Sequence, residues 1–212
     1  MNLELPISKS QSDKAVSFLK SNFGEKIKQA VEGTPFTIDH ICGIACQETA
    51  YVWAVKGKDG KDWIDKFDIK TMLERCVFDA SGDIQGATRN AFPKNTQAFR
   101  AEYGNTFTNM LIAEANKTRA IRGFNAAQIV YKGYGIFQYD LQAVVRDRAF
   151  FEQKQWYNFD DCLKNCIGEL KIKYALRKDI WASLKAYNGA GLRATNYANN
   201  VTQFTDWSKN IA

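Results

Sequence analysis

One carboxylic acid in this sequence occupies a position where apolar side chains are expected. Within residues 38–54, IDHICGIACQETAYVWA, the positions that follow one another at spacings of four, three and four are Ile41, Ala45, Glu48 and Val52. These spacings place all four side chains on one face of an α-helix. No Lys or Arg occurs between Ile38 and Val55, so we expect burial to raise the pKa of Glu48. A carboxylic acid with a raised pKa suits general acid catalysis near neutral pH. The alternative is a glutamate at the core edge whose carboxylate reaches solvent.

The elements that must position Glu48 are mostly helical. Apolar spacing predicts helices over residues 8–32, with a break at Gly24, and over 107–121, 141–151, 159–174, 178–186 and 194–207, in addition to the Glu48 helix. Residues 69–78 fit a helix or a strand, and the composition of residues 81–95 is typical of a loop. We therefore predict a mainly α fold, with a single domain over 1–212 and a small β element within 57–95.

The composition is that of a folded, basic chain. Of its 212 residues 45% are hydrophobic and 25% are charged, which excludes a disordered chain. The 29 Lys and Arg outnumber the 23 Asp and Glu, so the net charge of +6 favours anionic partners such as nucleic acid, anionic lipid or an acidic wall polymer. No basic block with interleaved aromatic residues is present, and we predict no nucleic-acid partner.

The cysteines and the histidine limit which disulfides, metal sites and catalytic mechanisms the sequence could support. The odd number of cysteines argues against a disulfide scaffold, and we interpret them as small buried thiols: Cys42, Cys46, Cys76, Cys162 and Cys166. A zinc ion that joins the two pairs spaced by four is the alternative. His40 is the sole histidine and has no partner motif, so a Ser-His-Asp or Cys-His mechanism is not expected. No cofactor and no metal are predicted.

The N-terminal segment carries Glu4 and lacks a basic region followed by a continuous apolar run. It does not read as a Sec signal peptide. No other segment is apolar over the length that a membrane span needs. We therefore expect a protein that is synthesised in the cytoplasm without a Sec signal and does not insert into a membrane.

Three stretches, in this order, resemble the lysozyme-like superfamily that holds goose-type lysozymes and soluble lytic transglycosylases. Glu48-Thr49 is similar to the Glu-Ser of the transglycosylases, and Gly135-Ile136-Phe137-Gln138 is similar to their Gly-Leu-Met-Gln element. Their Ala-Tyr-Asn-x-Gly element resembles the stretch that runs from Ala186 to Gly191, AYNGAG. Their Tyr-Ala-x-x-Val element is matched by Tyr197-Ala198 and Val201.

The layout of these motifs resembles one group within that superfamily. Glu48 and Gln138 are 90 residues apart, whereas most lytic transglycosylases place the two elements close together. The insertion that this implies over 57–125, together with Tyr187-Asn188-Gly189, is similar to the N-acetylmuramidases of phage endolysins and bacterial effector toxins. The resemblance implies a lysozyme-like fold and cleavage of the β-1,4 bond between N-acetylmuramic acid and N-acetylglucosamine in peptidoglycan.

On this resemblance Glu48 is the general acid, and hydrolysis usually needs a second carboxylate. Asp140 matches the place where goose-type lysozymes carry an Asp that positions the attacking water, although it equally suits the N-cap of a helix that begins near Leu141. Reserve candidates are Glu74, Asp79 and Asp83. A lytic transglycosylase needs no second carboxylate, because a hydroxyl group of the muramic acid attacks and gives a 1,6-anhydro product.

The resemblance also implies substrate-binding residues. The amides of Gln138 and Asn188 suit N-acetyl groups and sugar hydroxyls. The aromatic rings suited to stack on sugars are those of Tyr134, Phe137, Tyr139 and Tyr187, and the hydroxyl of Tyr187 is expected to bond Glu48. For each ring the alternative is ordinary core packing.

Such an enzyme is expected to act in the periplasm or cell wall and to arrive there by lysis or by a specialised secretion system. Its partner is peptidoglycan, and in the toxin case also an acidic immunity protein that occludes the cleft. Three other functions remain open on the sequence: a chitinase-like hydrolase, a glycan-binding module without activity, and a cytosolic nucleic-acid binder, which would account for the positive charge alone.

Overall fold

The structure is a computed structural model that describes residues 4–57 and 59–212. The predicted mainly α fold is confirmed, and the strands form one small antiparallel sheet. The chain forms two compact units. The first combines the residues before Ile69 with Leu163–Ala212, and the second is Ile69–Cys162. The Glu48 motif and the Ala186–Gly191 motif therefore belong to the first unit, and the Gly135–Gln138 motif belongs to the second.

The elements follow one another along the chain as helices α1 to α10 and strands β1 to β3. The helices are α1 (Lys9–Val31), α2 (Ile38–Ala45), α3 (Tyr51–Trp53), α4 (Trp63–Lys66), α5 (Ile69–Arg75), α6 (Thr96–Ile121), α7 (Arg148–Glu152), α8 (Phe159–Arg177), α9 (Ile180–Asn188) and α10 (Gly191–Ser208). A π-helical turn covers Cys46–Ala50, and 3₁₀ helices cover Leu141–Val145 and Gln155–Tyr157. The strands are β1 (Val77–Phe78), β2 (Gly133–Tyr134) and β3 (Tyr139–Asp140).

Several element boundaries differ from those predicted. Gly24 is buried inside a continuous α1 and does not break it. The ambiguous segment at 69–78 contains both a helix, α5, and a strand, β1. Of the three strands described, β1 alone lies in the 57–95 range that was expected to hold the β element. The single helix predicted over residues 141–151 is wrong. A 3₁₀ helix covers Leu141–Val145, the backbone at Asp147 is not helical, and α7 begins at Arg148.

The first unit is organised by the contact between α2 and α10. A Cβ atom on Gly43 would lie 2.8 Å from Oγ1 of Thr205 and 2.9 Å from the carbonyl oxygen of Val201, so only glycine allows this approach. At the end of the same contact, Oγ of Ser208 donates to Oδ1 of Asp39 at 2.7 Å. The two helices therefore run antiparallel, with later residues of α2 facing earlier residues of α10.

In the second unit, part-buried ion pairs hold the segment between β1 and α6. Lys132, fully buried beside β2, donates to Asp83 and, at 2.7 Å, to the carbonyl oxygen of Val130. Burial lowers the pKa of Lys132, while Asp83 opposes that change. Arg89 donates from Nη2 to Oδ1 of Asp140 at 2.6 Å. The residues between β1 and α6 are thus fixed to the sheet by charge pairs rather than by a large apolar core.

We predict that Gly43→Ala destabilises the protein by about 1–2 kcal/mol, because the added methyl group overpacks the α2–α10 contact. The matched control is Gly168→Ala in α8, where a Cβ atom would have no neighbour within 4 Å. That change should stabilise the protein by about 0.5–1 kcal/mol, since alanine loses less backbone entropy than glycine in a helix. Urea denaturation of both variants measures the difference, and equal stabilisation by both would contradict the close contact.

Candidate active site

Glu48 lies in the middle of the π-helical turn that separates α2 from α3. A π-helical turn is wider than an α-helical turn, and such turns occur frequently at functional sites. Ile41 and Ala45 are fully buried, as the spacing predicts, whereas Glu48 and Val52 are only half-buried. The single α-helical face predicted through Val52 is therefore interrupted. Glu48 is partly accessible and still largely surrounded by protein.

The hydroxyl residue next to Glu48 supports this turn. Oγ1 of Thr49 donates to the carbonyl oxygen of Ala45 at 3.3 Å and accepts a bond from Nε1 of Trp53 at 2.8 Å. Thr49 and Trp53 have no exposed surface. Thr49, which is similar to the serine of the Glu-Ser motif, thus bonds one residue before Glu48 in the sequence and one residue after it.

The carboxyl group of Glu48 accepts a hydrogen bond from Tyr197 on α10. The Tyr197 hydroxyl donates to Oε1 at 2.7 Å. Burial raises the pKa of Glu48 from 4.5 to about 7, and the bond from Tyr197 opposes that rise by stabilising the carboxylate. At neutral pH a substantial fraction of Glu48 is therefore protonated and able to donate a proton.

Tyr187, at the end of α9, lies beside this pair. Its ring stacks on that of Tyr197, with centroids 6.2 Å apart and planes inclined by 23°. Burial raises the pKa of Tyr187 well above its ordinary value, and a hydrogen bond with Cys166 and the nearby charge of Glu48 act in the same direction. Tyr187 is half-buried, and its neighbour Asn188 is exposed. The first unit thus brings Glu48 and Tyr187 together, with Asn188 next in the chain at the surface.

Tyr197 is a site residue that was not predicted from the sequence, although the sequence contains a signal for it. Buried residues recur along α10 at helical spacing and form one face: Ala194, Tyr197, Ala198, Val201 and Phe204. A tyrosine on such a face needs a partner for its hydroxyl group. The apolar spacing that selected Glu48 therefore also singles out Tyr197 on α10.

In the second unit, the ring of Tyr134 is part of the core. Tyr134 has no exposed surface, and its ring contacts those of Phe151 and Trp156, with centroids 5.3 and 4.8 Å away. Phe137 is 2% exposed and contacts the ring of Phe159. The expectation that these two rings face a sugar is therefore wrong, because both rings are needed to fill the core around the β2–β3 hairpin.

Gln138 and Tyr139 lie at the half-buried end of the same hairpin. Gln138 adopts a left-handed backbone conformation, and its Nε2 donates to the carbonyl oxygens of Gly135 at 2.9 Å and Cys76 at 3.2 Å. The side-chain amide thus shapes the turn that the motif forms. The ring of Tyr139 stacks on that of Phe151, and the guanidinium group of Arg146 lies 5.9 Å from its centroid.

Asp140 acts as the N-cap of the 3₁₀ helix Leu141–Val145. Its Oδ1 accepts hydrogen bonds from the backbone amide of Gln142 at 2.7 Å and from Arg89. The predicted capping role is confirmed, and the role in positioning water stays a prediction. The reserve carboxylates also have structural partners: Glu74 bonds Arg75, Asp79 bonds the amide of Ser81, and Asp83 bonds Lys132 and the amide of Thr96.

Neither a metal site nor a membrane-spanning helix was found in the part of the chain that the structure describes. Residues 4–57 and 59–212 contain no group of three or more His, Cys, Asp and Glu side chains placed to hold a metal ion. All five cysteines are buried free thiols. None of the described helices is both long and apolar enough to cross a bilayer. His40 accepts a bond from the amide of Thr37, at the start of α2.

Comparison of the chain with protein-family models, curated proteins and solved structures gave no match.

We predict that Tyr197→Phe raises the pKa of Glu48 by about one pH unit, because the variant loses a hydrogen bond that stabilises the carboxylate. The pKa is measured by NMR titration of the glutamate side-chain carboxyl carbons. Tyr174→Phe is the matched control, since the ring of Tyr174 contacts Phe36. A Glu48 pKa that is unchanged in Tyr197→Phe, or that moves equally in the control, would contradict the assigned hydrogen bond.

We also predict that Glu48→Gln stabilises the folded protein at pH 8 and has little effect near pH 4. The native state keeps the Glu48 proton up to a pKa of about 7, and the unfolded chain releases it near 4.5. The contribution of the protonated Glu48 carboxyl group to folding stability is therefore fully present below pH 4.5 and is lost as the pH rises towards 7. The neutral glutamine avoids this loss, which is about 3 kcal/mol for a pKa that rises from 4.5 to about 7. Urea denaturation at both pH values measures it, with Glu25→Gln on the exposed surface as control.

Proposed function

We propose that this protein cleaves the glycan strands of peptidoglycan at the β-1,4 bond between N-acetylmuramic acid and N-acetylglucosamine, with Glu48 as general acid. One observation supports this proposal most directly. Glu48 is a half-buried carboxylic acid whose pKa lies at about 7, and it accepts a hydrogen bond from a buried tyrosine. The reaction needs an acid that is protonated at neutral pH and oriented towards the leaving oxygen.

In this proposal the neutral carboxyl group of Glu48 donates its proton to the glycosidic oxygen as the bond to the muramic acid carbon breaks. The Tyr197 hydroxyl fixes the carboxyl group and stabilises the carboxylate that the transfer leaves behind. Tyr187 and Asn188 of the first unit are the proposed glycan contacts, while Gln138 and Tyr139 stay predictions that rest on the resemblance. Half-buried or exposed positions leave part of each side chain accessible to a sugar.

A lytic transglycosylase is the second candidate, and the contacts of Asp140 favour it. Hydrolysis with inversion needs a carboxylate that activates water. Oδ1 of Asp140 already accepts two hydrogen bonds, one from Arg89 and one as a helix cap. In a transglycosylase, a hydroxyl group of the muramic acid attacks in place of water, and no second carboxylate is required. Asp140 would then serve only to cap the helix and bind Arg89.

The test is digestion of purified peptidoglycan by the wild type and by Glu48→Gln, followed by mass spectrometry of the released muropeptides. We expect products that end in muramic acid from the wild type and none from the variant. Products lighter by one water identify the transglycosylase. We also expect the rate to fall about tenfold per pH unit above pH 7, because the acid form of Glu48 disappears there.

Two further variants and one further substrate make the outcome decisive. Glu25→Gln removes an exposed carboxylate and should digest peptidoglycan at the wild-type rate. Asp140→Asn should abolish activity if Asp140 activates water and should only lower stability if it acts as a cap. Cleavage of chitin oligomers without cleavage of peptidoglycan would contradict the proposal in favour of a chitinase-like enzyme. Binding of peptidoglycan without cleavage would favour a glycan-binding module.

A further inference from the structure

α8 carries apolar side chains on two opposite sides. Its core side contains Leu163, Cys166, Ile167 and Leu170, all of them buried. On the other side, Ile172 is 55% and Leu176 is 75% exposed. Each residue turns the helix by about 100°, so a side chain two positions from Leu170 projects away from the core. Leu176 follows Ile172 by four positions and projects on the same side.

Basic side chains surround this exposed aliphatic pair. Lys171, Lys173, Arg177 and Lys178 lie within the same eight residues. Lys173 forms an ion pair with Glu169 at 3.8 Å, while the other three, including Lys178 beside Asp179 in the sequence, form no ion pair with any residue that the structure describes. Residues 163–212 contain eight Lys and Arg and three Asp and Glu, a net charge of +5 against +6 for the whole chain. The positive charge of the protein is thus concentrated in the segment that begins with this part of α8.

We propose that this surface docks on an anionic lipid bilayer. We name it the α8 outer face: it consists of Ile172 and Leu176, of Lys171 and Lys173 on either side of them, and of Arg177 and Lys178 at the C-terminal end of the helix. A helix that lies in the plane of a bilayer combines basic residues with exposed aliphatic side chains that enter the boundary between headgroups and acyl chains. Each cation near an anionic leaflet also strengthens binding.

The composition of the α8 outer face favours lipid over an acidic protein as its partner. Protein interfaces are enriched in aromatic residues and depleted in lysine at their centres. Three of the six residues of the outer face are lysines, and none is aromatic. Docking also requires no unfolding, because the core side of α8 keeps its contacts while the exposed side meets the bilayer. A single exposed aliphatic pair allows a reversible contact rather than insertion.

This inference goes beyond the proposed glycan cleavage and is independent of it. Lipid vesicles contain no peptidoglycan, and Glu48 lies outside the α8 outer face. A protein that fails to digest peptidoglycan can still bind vesicles, and the reverse also holds. The two proposals therefore succeed or fail in separate experiments.

The experiment is flotation of the full chain with vesicles made of equal parts phosphatidylglycerol and phosphatidylcholine, compared with vesicles of phosphatidylcholine alone. We expect binding only to the anionic vesicles, and weaker binding as salt is added. Lys171→Gln with Lys178→Gln removes two unpaired cations, and Ile172→Ser with Leu176→Ser removes the aliphatic pair. Each double variant should lower the partition coefficient about tenfold or more.

Matched controls separate this surface from net charge and general hydrophobicity. Lys9→Gln with Lys28→Gln removes two cations of α1 that are exposed and paired with acidic neighbours. Val145→Ser removes an aliphatic side chain that is 73% exposed. Both controls should bind within about twofold of the wild type, on the premise that only the outer face meets the bilayer. Thermal denaturation verifies that every variant is folded.

Three outcomes would overturn the proposal. The first is equal binding by the wild type and both outer-face variants. The second is no binding of the wild type to anionic vesicles. The third is capture of the wild type by soluble polyglutamate, lost in the outer-face variants, together with no vesicle binding, which would assign the same surface to an acidic protein.

Discussion

The close approach of α2 and α10 is the contact on which the candidate site depends. Gly43 lies against Val201 and Thr205, and the antiparallel course of the two helices then carries Glu48 towards Tyr197. The hydrogen bond between these two side chains joins residues that are 149 positions apart in sequence. Neither element provides the site alone, because the acid lies on the π-helical turn that follows α2 and the hydroxyl that orients it lies on α10.

This arrangement holds a carboxylic acid in an environment that opposes its ionisation. Burial raises the pKa of Glu48 to about 7, so ionising this group at neutral pH costs folding free energy. Packing elsewhere in the first unit must offset that cost. The fully buried Trp53, bonded to Thr49, braces the π-helical turn from one side. Asp39, bonded to Ser208, ties the far end of the contact. These hydrogen bonds hold the turn and the α2–α10 contact around a site that is costly to maintain, whereas the buried Oε1 of Gln47, next to Glu48, has no hydrogen-bond partner among the described residues.

The local features of this site were predictable from the sequence, and the long-range ones were not. Apolar spacing identified most helices and selected Glu48, because both depend on residues within a few turns of one another. The π-helical turn was missed, because an insertion of that kind leaves no periodic signal. Spacing also shows that a tyrosine lies on an apolar face without showing what that face meets. Tyr134 and Tyr197 look alike in this respect, yet one fills a core and the other bonds Glu48.

The polar residues of the β2–β3 hairpin illustrate why a motif must be read together with its contacts. The amide nitrogen of Gln138 bonds two backbone carbonyl groups of its own unit, and Asp140 caps the next helix while it binds Arg89. Such contacts would select the same residue types even where no glycan binds, because a tight turn and a helix start need them. The Glu48–Tyr197 pair differs, because burial of the Glu48 carboxyl group costs stability at neutral pH, so the stability of the fold alone would not select an acid at this position. Support for glycan cleavage therefore comes from the first unit, and the hairpin contributes chiefly to the shape of the second.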